Sequence, residues 1–229
     1  MEYYFSEQSF DSFVVGHSNE LAAKCARAIA ENPGTLCNSL TFCGKTGTGK
    51  THLMRAIEKY INEHEPARKT KYVTTRHFTD RIIVCVRNHS CVETINEMVK
   101  EYGSLDLLMI DDIQEISYKE ATQDLIMDIL EDLPNKIQIV FSADRTPQRI
   151  EGLSRQLCSR IQRGVVAEIS APDYEVRKGI MEHWLTKLNI DVPQSLKDDI
   201  LKKKCNAFEM EGIVKRLYLM SRNSDNLCG

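Results

Sequence analysis

Short apolar runs alternate with helical periodicity over most of the chain. Leu53, Ile57 and Ile61 fall on one face of the stretch after the first run, and Leu125 and Ile129 do so later. Such alternation predicts a three-layer α/β sandwich around a mostly parallel sheet. The predicted strands cover residues 39–43 (SLTFC), 71–75 (KYVTT), 105–110 (LDLLMI), 137–142 (IQIVFS) and 165–170 (VVAEIS), which makes a five-stranded sheet.

The pattern changes after Pro172, where helical segments follow one another with no strand signal. We therefore predict an α/β domain over residues 1–171 and a small all-helical subdomain over residues 172–229. Trp184 falls on the apolar face of the first helix of the subdomain and is expected in its core. The third helix starts at Asn206, which with Glu209 has capping-box spacing. Phe208 between them is an unusual residue for an exposed first turn.

Composition narrows the class of protein. Hydrophobic residues at 42% and charged residues at 28% are globular values. The formal charge of −3 gives no basic signature, so any DNA contact needs a local patch or an assembly. The eight cysteines show no C-x-x-C pair. With no apolar run of membrane-spanning length and no signal peptide, we predict a soluble cytoplasmic protein without a membrane partner.

A glycine-rich motif joins the first strand to the first long helix. Residues 44–51 read GKTGTGKT and satisfy G-x-x-x-x-G-K-[ST], the pattern of a phosphate-binding P-loop. Backbone N–H groups of such a loop hold a polyphosphate, the lysine reaches the β- and γ-phosphates, and the last hydroxyl binds Mg²⁺. ATP or ADP with Mg²⁺ is thus the expected ligand. The residues assigned to this nucleotide site are Gly44, Gly47, Thr48, Gly49, Lys50, Thr51 and His52.

Two adjacent carboxylates, Asp111 and Asp112, end the most apolar strand. Carboxylates at the end of a buried strand are costly unless a cation or water uses them. Turn-forming acids would be the alternative for such a pair alone. Beside a P-loop, Asp111 is predicted in the Mg²⁺ shell with Thr51, and Asp112 is predicted to polarise the attacking water.

Several stretches, in one order along the chain, resemble the ATPase domain of the bacterial DnaA replication initiators, members of the AAA+ class. They read FDSFVVGHSNELA, GKTGTGKTHLMRAI, LDLLMIDDIQEI, IVFSADRTP, LSRQLCSRIQRGVVAEISAPDYEVRKGI and FEMEGIV. The resemblance covers nearly the whole chain. It implies the AAA+ α/β fold followed by a helical lid, and an ATP-binding protein that acts in initiation of chromosomal replication.

The resemblance also implies roles for residues outside the P-loop. Val14, Val15 and Asn19 match the segment that lies against adenine in the family. Asp144 matches the polar sensor of the γ-phosphate region, and Arg160 matches the arginine finger that enters the ATP site of the next subunit. Asp112, Asp144 and Arg160 are thus the candidate catalytic residues. A finger given by a neighbour couples ATP binding to assembly.

Other positions depart from the family pattern. Phe208 stands where the lid arginine touches the γ-phosphate, and Gln156 stands where the family has an arginine four residues before the finger. Glu101 replaces a usually basic or polar residue in the region that holds single-stranded DNA, so DNA contact has weak support. The sequence stops soon after the lid helix, before any helix-turn-helix, so either an excised domain or a naturally short relative is expected.

Three functions therefore remain open from the sequence. The first is an initiator-type, weak ATPase that forms homo-oligomers through Arg160. The second is a nucleotide-binding regulator that hydrolyses ATP poorly and forms hetero-assemblies with replication proteins. The third is a helicase-loader or transposition-helper ATPase, a class that shares the P-loop and the residues GKTHL.

Overall fold

The computed structural model of the chain describes residues 8–35, 37–87 and 91–225. Helices and strands alternate over the first three quarters of this part, and helices alone follow. In chain order the elements are α1 (Glu20–Glu31), β1 (Ser39–Cys43), α2 (Lys50–His64), β2 (Thr70–Thr74), α3 (Thr75–Arg87), α4 (Cys91–Gly103), β3 (Leu107–Asp111), α5 (Glu120–Asp132), β4 (Gln138–Ala143), α6 (Arg155–Ile161), β5 (Val165–Glu168), α7 (Tyr174–Leu188), α8 (Gln194–Lys202) and α9 (Ala207–Asp225). Short 3₁₀ turns cover Ile113–Ile116 and Pro147–Arg149.

The sheet has five parallel strands in the order β2-β3-β4-β1-β5. This confirms the predicted parallel five-stranded sheet. β1 has the predicted ends, and the other strands differ from the predicted ones by at most two residues at either end. Every residue of β1, β3 and β4 is buried. A strand covered by helices on both faces has no polar face, which explains why apolar residues predominate in these strands and why residues 107–110 of β3 are all apolar.

Two apolar cores lie on the two faces of the sheet. Along β3, Leu107 and Met109 face one core and Leu108 and Ile110 face the other, as the period of two in a strand requires. The first core is closed by α1 and α2, and the second by α3, α4, α5 and α6. The result is the predicted three-layer sandwich.

The last three helices pack around a core of their own. Met181 and Leu185 of α7 meet Ile200 of α8 and Met210 and Val214 of α9. β5 is the last strand of the sheet, and α7 begins at Tyr174, shortly after the predicted boundary between residues 171 and 172. The division of the chain into two domains at this boundary stays a prediction. Within the described ranges no helix is long and apolar enough to cross a membrane.

Asp173 joins the helical unit to the chain segment before α1. Its carboxylate accepts the N–H of Val176 at 2.9 Å, which caps α7, and the N–H of Ser18 at 3.0 Å. The backbone N–H of Ser170 in turn donates to the carbonyl of Ser18 at 3.0 Å. These contacts place the start of α7 beside residues 16–18, at the edge of the sheet where the P-loop lies.

Candidate nucleotide-binding site

The P-loop follows the last residue of β1 and ends in the first turn of α2. Gly47 and Gly49 have left-handed backbone conformations, with φ of 79° and 103°. A Cβ on Gly47 would lie 2.7 Å from Cγ of Asn206, and the carbonyl of Gly47 accepts the N–H of Ala207 at 3.1 Å. Glycine is therefore required at position 47 both by its φ and by the close approach of the lid.

Lys50, the first residue of α2, lies buried beneath the loop. Its Nζ donates to the carbonyl of Gly44 at 2.6 Å and to that of Lys45 at 3.1 Å. Burial lowers the pKa of Lys50, and the charges of Asp112 and Asp111 oppose that shift. An ammonium group that is buried at the start of a helix favours an anionic ligand, because the charge of a phosphate would compensate for the hydration that the ammonium group has lost.

Asp111 ends β3 directly opposite the first turn of α2 and is almost fully buried. Thr51 Oγ1 donates to Asp111 Oδ2 at 2.8 Å, so the residue pair predicted for Mg²⁺ is brought together. Tyr72 also donates to Oδ2, and Ser142 donates to Oδ1. Burial, and then the charge of Asp111, raise the pKa of the Tyr72 hydroxyl, which keeps it protonated as a donor.

Asp112 has a left-handed backbone conformation at φ 60°, and its side chain lines the cavity described below. Ser142 Oγ accepts its N–H at 2.9 Å. Gln114 donates to Asp112 Oδ1 at 2.9 Å and accepts the N–H of Asp144 at 3.1 Å, so it links the ends of two neighbouring strands. Strain of this kind in a non-glycine residue persists only where the surroundings hold it, and it clusters at functional sites.

Asp144 follows β4, next to the end of β3. Arg145 binds both of its carboxylate oxygens, at 3.0 and 2.8 Å, and the side chain does not line the cavity. The negative charge of Asp144 nevertheless acts to raise the pKa of Lys50. The predicted sensor is thus near the P-loop lysine, but its carboxylate already has a cationic partner.

A cavity of about 430 Å³ opens between the P-loop, the segment before α1 and the lid. Val14 lines it, whereas Val15 lies outside it with 54% of its surface exposed. Asn19 is buried at its wall and holds a turn: it donates to the carbonyl of Val14 at 2.9 Å and accepts the N–H of Gly16 at 2.9 Å. Of the three residues predicted to meet adenine, Val14 and Asn19 are thus at the cavity.

His52 fixes the segment before α1 over the P-loop. Its Nε2 lies 2.9 Å from the carbonyl oxygen of Ser9 and 3.2 Å from Ser12 Oγ, and its ring meets Phe13 edge to face at 5.2 Å. Burial lowers the pKa of His52. It also lines the cavity, so its contribution to a ligand is chiefly to hold the cavity wall in place.

The lid forms the far wall of the cavity. Asn206 and Glu209 form the predicted capping box: Glu209 accepts the N–H of Asn206 at 2.8 Å, and Asn206 accepts the N–H of Glu209 at 3.0 Å. Phe208 lines the cavity with 54% of its surface exposed, so this turn faces the P-loop. Trp184 packs against the lid core on one side and lines the cavity on the other, so it is only half-buried. The prediction that it lies in the core of the subdomain is corrected in this respect.

Two ammonium groups lie near the Trp184 ring. Lys187 Nζ is 4.4 Å and Lys215 Nζ is 4.7 Å from the ring centroid, within the range of cation–π attraction. Lys215 also pairs with Glu211, whose carboxylate is largely buried at the cavity wall. No pattern in the sequence predicted that Trp184 and Glu211 would line the cavity, because both occupy ordinary positions of predicted helices.

Arg160 lies at the opposite edge of the sheet. Its Nη2 donates to the carbonyl of Leu130, near the end of α5, at 3.3 Å, and burial lowers its pKa. The chain then passes Gly164, whose backbone lies against the carbonyl of Ser39, the first residue of β1. The P-loop follows the last residue of β1, roughly 13 Å along the strand. Arg160 therefore does not line the cavity of its own chain, and its role as a finger for another subunit stays a prediction.

Comparison with known proteins gives one consistent result. The family model described as "Bacterial DnaA ATPAse domain" matches residues 5–168. A chromosomal replication initiator protein DnaA from Deinococcus deserti is 37% identical over 215 residues, which are 93% of this chain and 46% of that protein. The chain thus spans about half the length of the curated relatives it matches.

Solved structures give the same family. Domain III of the DnaA replication initiation protein from Thermotoga maritima has a TM-score of 0.87 and 28% identity, covering 96% of this chain and 90% of that one. A replication initiator DnaA bound to AMPPCP and single-stranded DNA has a TM-score of 0.83 and 30% identity, covering 96% of this chain and 69% of that one.

Proposed function

This chain belongs to the family of bacterial DnaA ATPase domains, and on that premise we propose that it binds ATP and acts in initiation of chromosomal replication by ATP-dependent self-assembly. One observation carries the proposal. The Thr51 hydroxyl meets the buried Asp111 carboxylate at 2.8 Å directly beneath a P-loop whose Lys50 is desolvated. A similar DnaA structure contains the nucleotide analogue AMPPCP, which supports a nucleotide as the ligand.

Magnesium fits the donors of this site. Mg²⁺ prefers oxygen ligands and is held by one or two protein groups together with waters and substrate phosphates. Thr51 and Asp111 supply those protein oxygens, and within the described ranges no group of three or more His, Cys, Asp or Glu side chains could cage a metal alone. Bound Mg²⁺ would neutralise charge on the phosphate oxygens.

We propose weak hydrolysis in an isolated subunit. Lys50 would bind the phosphates, Asp112 would orient the attacking water, and Asp144 would read the γ-phosphate region. Arg160 of a neighbouring subunit would supply a further cation to the γ-phosphate region. A missing arginine finger typically lowers the rate by ~10³ or more, so specific activity should rise with protein concentration.

Isothermal titration calorimetry with ATP and Mg²⁺ tests the binding proposal. Lys50→Ala should abolish binding, because it removes the buried ammonium group. Lys45→Ala is the matched control, since Lys45 is exposed in the same loop and does not line the cavity. Equal affinity of Lys50→Ala and wild type would refute the proposed site.

A second candidate, a nucleotide-binding regulator of replication proteins, is favoured by Phe208. An aromatic ring at the cavity offers no charge to a γ-phosphate, so ATP and ADP would be told apart poorly within one subunit. Analytical ultracentrifugation separates the two functions. Higher-order species with ATP and Mg²⁺, lost in Arg160→Ala but kept in the control Arg68→Ala, support an initiator. Arg68 is a half-buried arginine that pairs with Glu65 and does not line the cavity. A monomer throughout supports the regulator.

We propose only weak contact with single-stranded DNA through α3 and α4. A similar structure has single-stranded DNA bound, but here two cations of this region have an acidic partner. Glu101 of α4 pairs with Arg81 at 2.8 Å and also with Lys71. Cations neutralised in this way release fewer counterions from DNA, so affinity should come mainly from assembly.

A further inference from the structure

Tyr72 reaches the metal-binding pair from a neighbouring strand. Its hydroxyl donates to Asp111 Oδ2, the same oxygen that accepts the Thr51 hydroxyl at 2.8 Å. The register of β2 and β3 places Thr74, and not Tyr72, opposite Asp111. The long tyrosine side chain therefore spans two residues of the strand to arrive at the carboxylate.

The Tyr72 ring is held by the helix that follows the P-loop. The guanidinium carbon of Arg55 lies 3.4 Å from the ring centroid, a close cation–π stack. Arg55 is one helical turn after Thr51, and its Nη1 pairs with Glu58 at 2.7 Å. The side chains of Glu58, Arg55, Tyr72 and Asp111 thus form one connected series that returns to Thr51.

The direction of these hydrogen bonds decides what Thr51 can offer a metal. A hydroxyl has one proton, and that of Thr51 is directed at Asp111 Oδ2, which leaves its lone pairs for a cation. This arrangement holds only while Oδ2 keeps its position. Ser142 fixes the other oxygen, and Tyr72 fixes Oδ2 itself.

We propose that Tyr72 is a positioning residue for magnesium. It orients Asp111 Oδ2 so that Thr51 presents a lone pair to the cation, and the stack on Arg55 keeps the tyrosine ring in place. The inference rests on the proposed nucleotide function. Groups that orient metal ligands in this way typically change metal affinity by about 10–100-fold when they are removed.

Tyr72→Phe tests the inference, because it deletes one hydroxyl and keeps the ring on which Arg55 stacks. Ser142 is less suitable, since it also accepts the N–H of Asp112. The full chain is titrated with ATP in EDTA and at increasing Mg²⁺. The variant should need about 10-fold more Mg²⁺ for half-maximal gain in ATP affinity, while its affinity in EDTA stays within about twofold of wild type.

Tyr60→Phe is the matched control, since Tyr60 is a half-buried tyrosine of α2 whose ring stacks on His64 outside the cavity. Its Mg²⁺ midpoint should equal that of wild type. Arg55→Lys, which keeps the charge and weakens the stack, should shift the midpoint in the same direction as Tyr72→Phe but less. Thermal melts of each variant establish that it is folded.

Two results would overturn the inference alone. One is a Mg²⁺ midpoint for Tyr72→Phe within about twofold of wild type, and the other is an equal loss of affinity with and without Mg²⁺, which would make Tyr72 a general support of the cavity. If wild type binds no nucleotide at all, the proposed function fails and the inference fails with it.

Discussion

Replacing Phe208 by arginine should restore discrimination between ATP and ADP within one subunit. The side chain lines the cavity, is 54% exposed, and lies in the turn whose Ala207 N–H contacts Gly47 of the P-loop at 3.1 Å. A guanidinium group there would be near the phosphates, and ADP lacks the group it would meet. Phe208→Arg should therefore strengthen ATP binding more than ADP binding.

The magnitude follows from the competing effects. A hydrogen bond to a charged group contributes about 1.5–3 kcal/mol. Exposure places the gain at the lower end of this range. The helix dipole opposes a cation in the first turn of α9, but it does so with either nucleotide bound and therefore does not change the ratio of ATP to ADP affinity. The buried carboxylate of Glu211 at the same wall also competes for the arginine. A net effect of about 1–1.5 kcal/mol, roughly tenfold in the ratio of ATP to ADP affinity, remains.

Isothermal titration calorimetry with each nucleotide in Mg²⁺ measures this ratio. Phe208→Met is the matched control, because it removes the ring and adds no charge, and its ratio should equal that of wild type. An unchanged ratio for Phe208→Arg, in a variant that still binds ATP, would show that this turn does not approach the γ-phosphate and that the argument from the cavity wall is wrong.

Three further predictions rest on separate parts of the structure. Trp184 is the only tryptophan and lines the cavity, so nucleotide should change the intrinsic fluorescence of wild type and not that of Trp184→Phe. Glu101→Gln should raise affinity for a labelled single-stranded oligonucleotide severalfold in anisotropy titrations at low salt, because Lys71 and Arg81 lose their partner; Glu97→Gln, at an exposed site on α4, should not. The hydrogen bond from the N–H of Val176 is the largest cause that lowers the pKa of Asp173 in the folded chain. The ionised carboxylate of Asp173 therefore stabilises the fold above its unfolded pKa of about 3.9, and this stabilisation is lost as pH falls through the lower folded pKa. Asp173→Ala should therefore reduce Tm by roughly 2–4 °C at pH 7 and by less at pH 2 in thermal melts, and an equal loss at both values would contradict the assignment.

Local spacing in the sequence is enough to predict the strands, the P-loop and the capping box at Asn206. Each depends on residues a few positions apart, whose geometry is set by the period of a strand or a helix. The contact of Tyr72 with Asp111 depends instead on β2 lying next to β3, and the link from Asp112 through Gln114 to Asp144 depends on β3 lying next to β4. Hydrophobic periodicity gives no information about the order of strands in a sheet, so the contacts of Tyr72 with Asp111 and of Gln114 with Asp112 and Asp144 could not be predicted.

The contact between lid and P-loop bears on where the state of the nucleotide is read. Three of the first four N–H groups of α9 donate within the protein: Ala207 to the Gly47 carbonyl, Glu209 to Asn206 Oδ1 and Met210 to the Asn206 carbonyl. The lid thus meets the P-loop through its backbone, and Phe208 adds no charge. A γ-phosphate would then be recognised from the sheet side, by Lys50 and in the region of Asp144, and by Arg160 of a neighbour. We expect the difference between ATP and ADP to appear chiefly in assembly and only weakly in the affinity of one subunit.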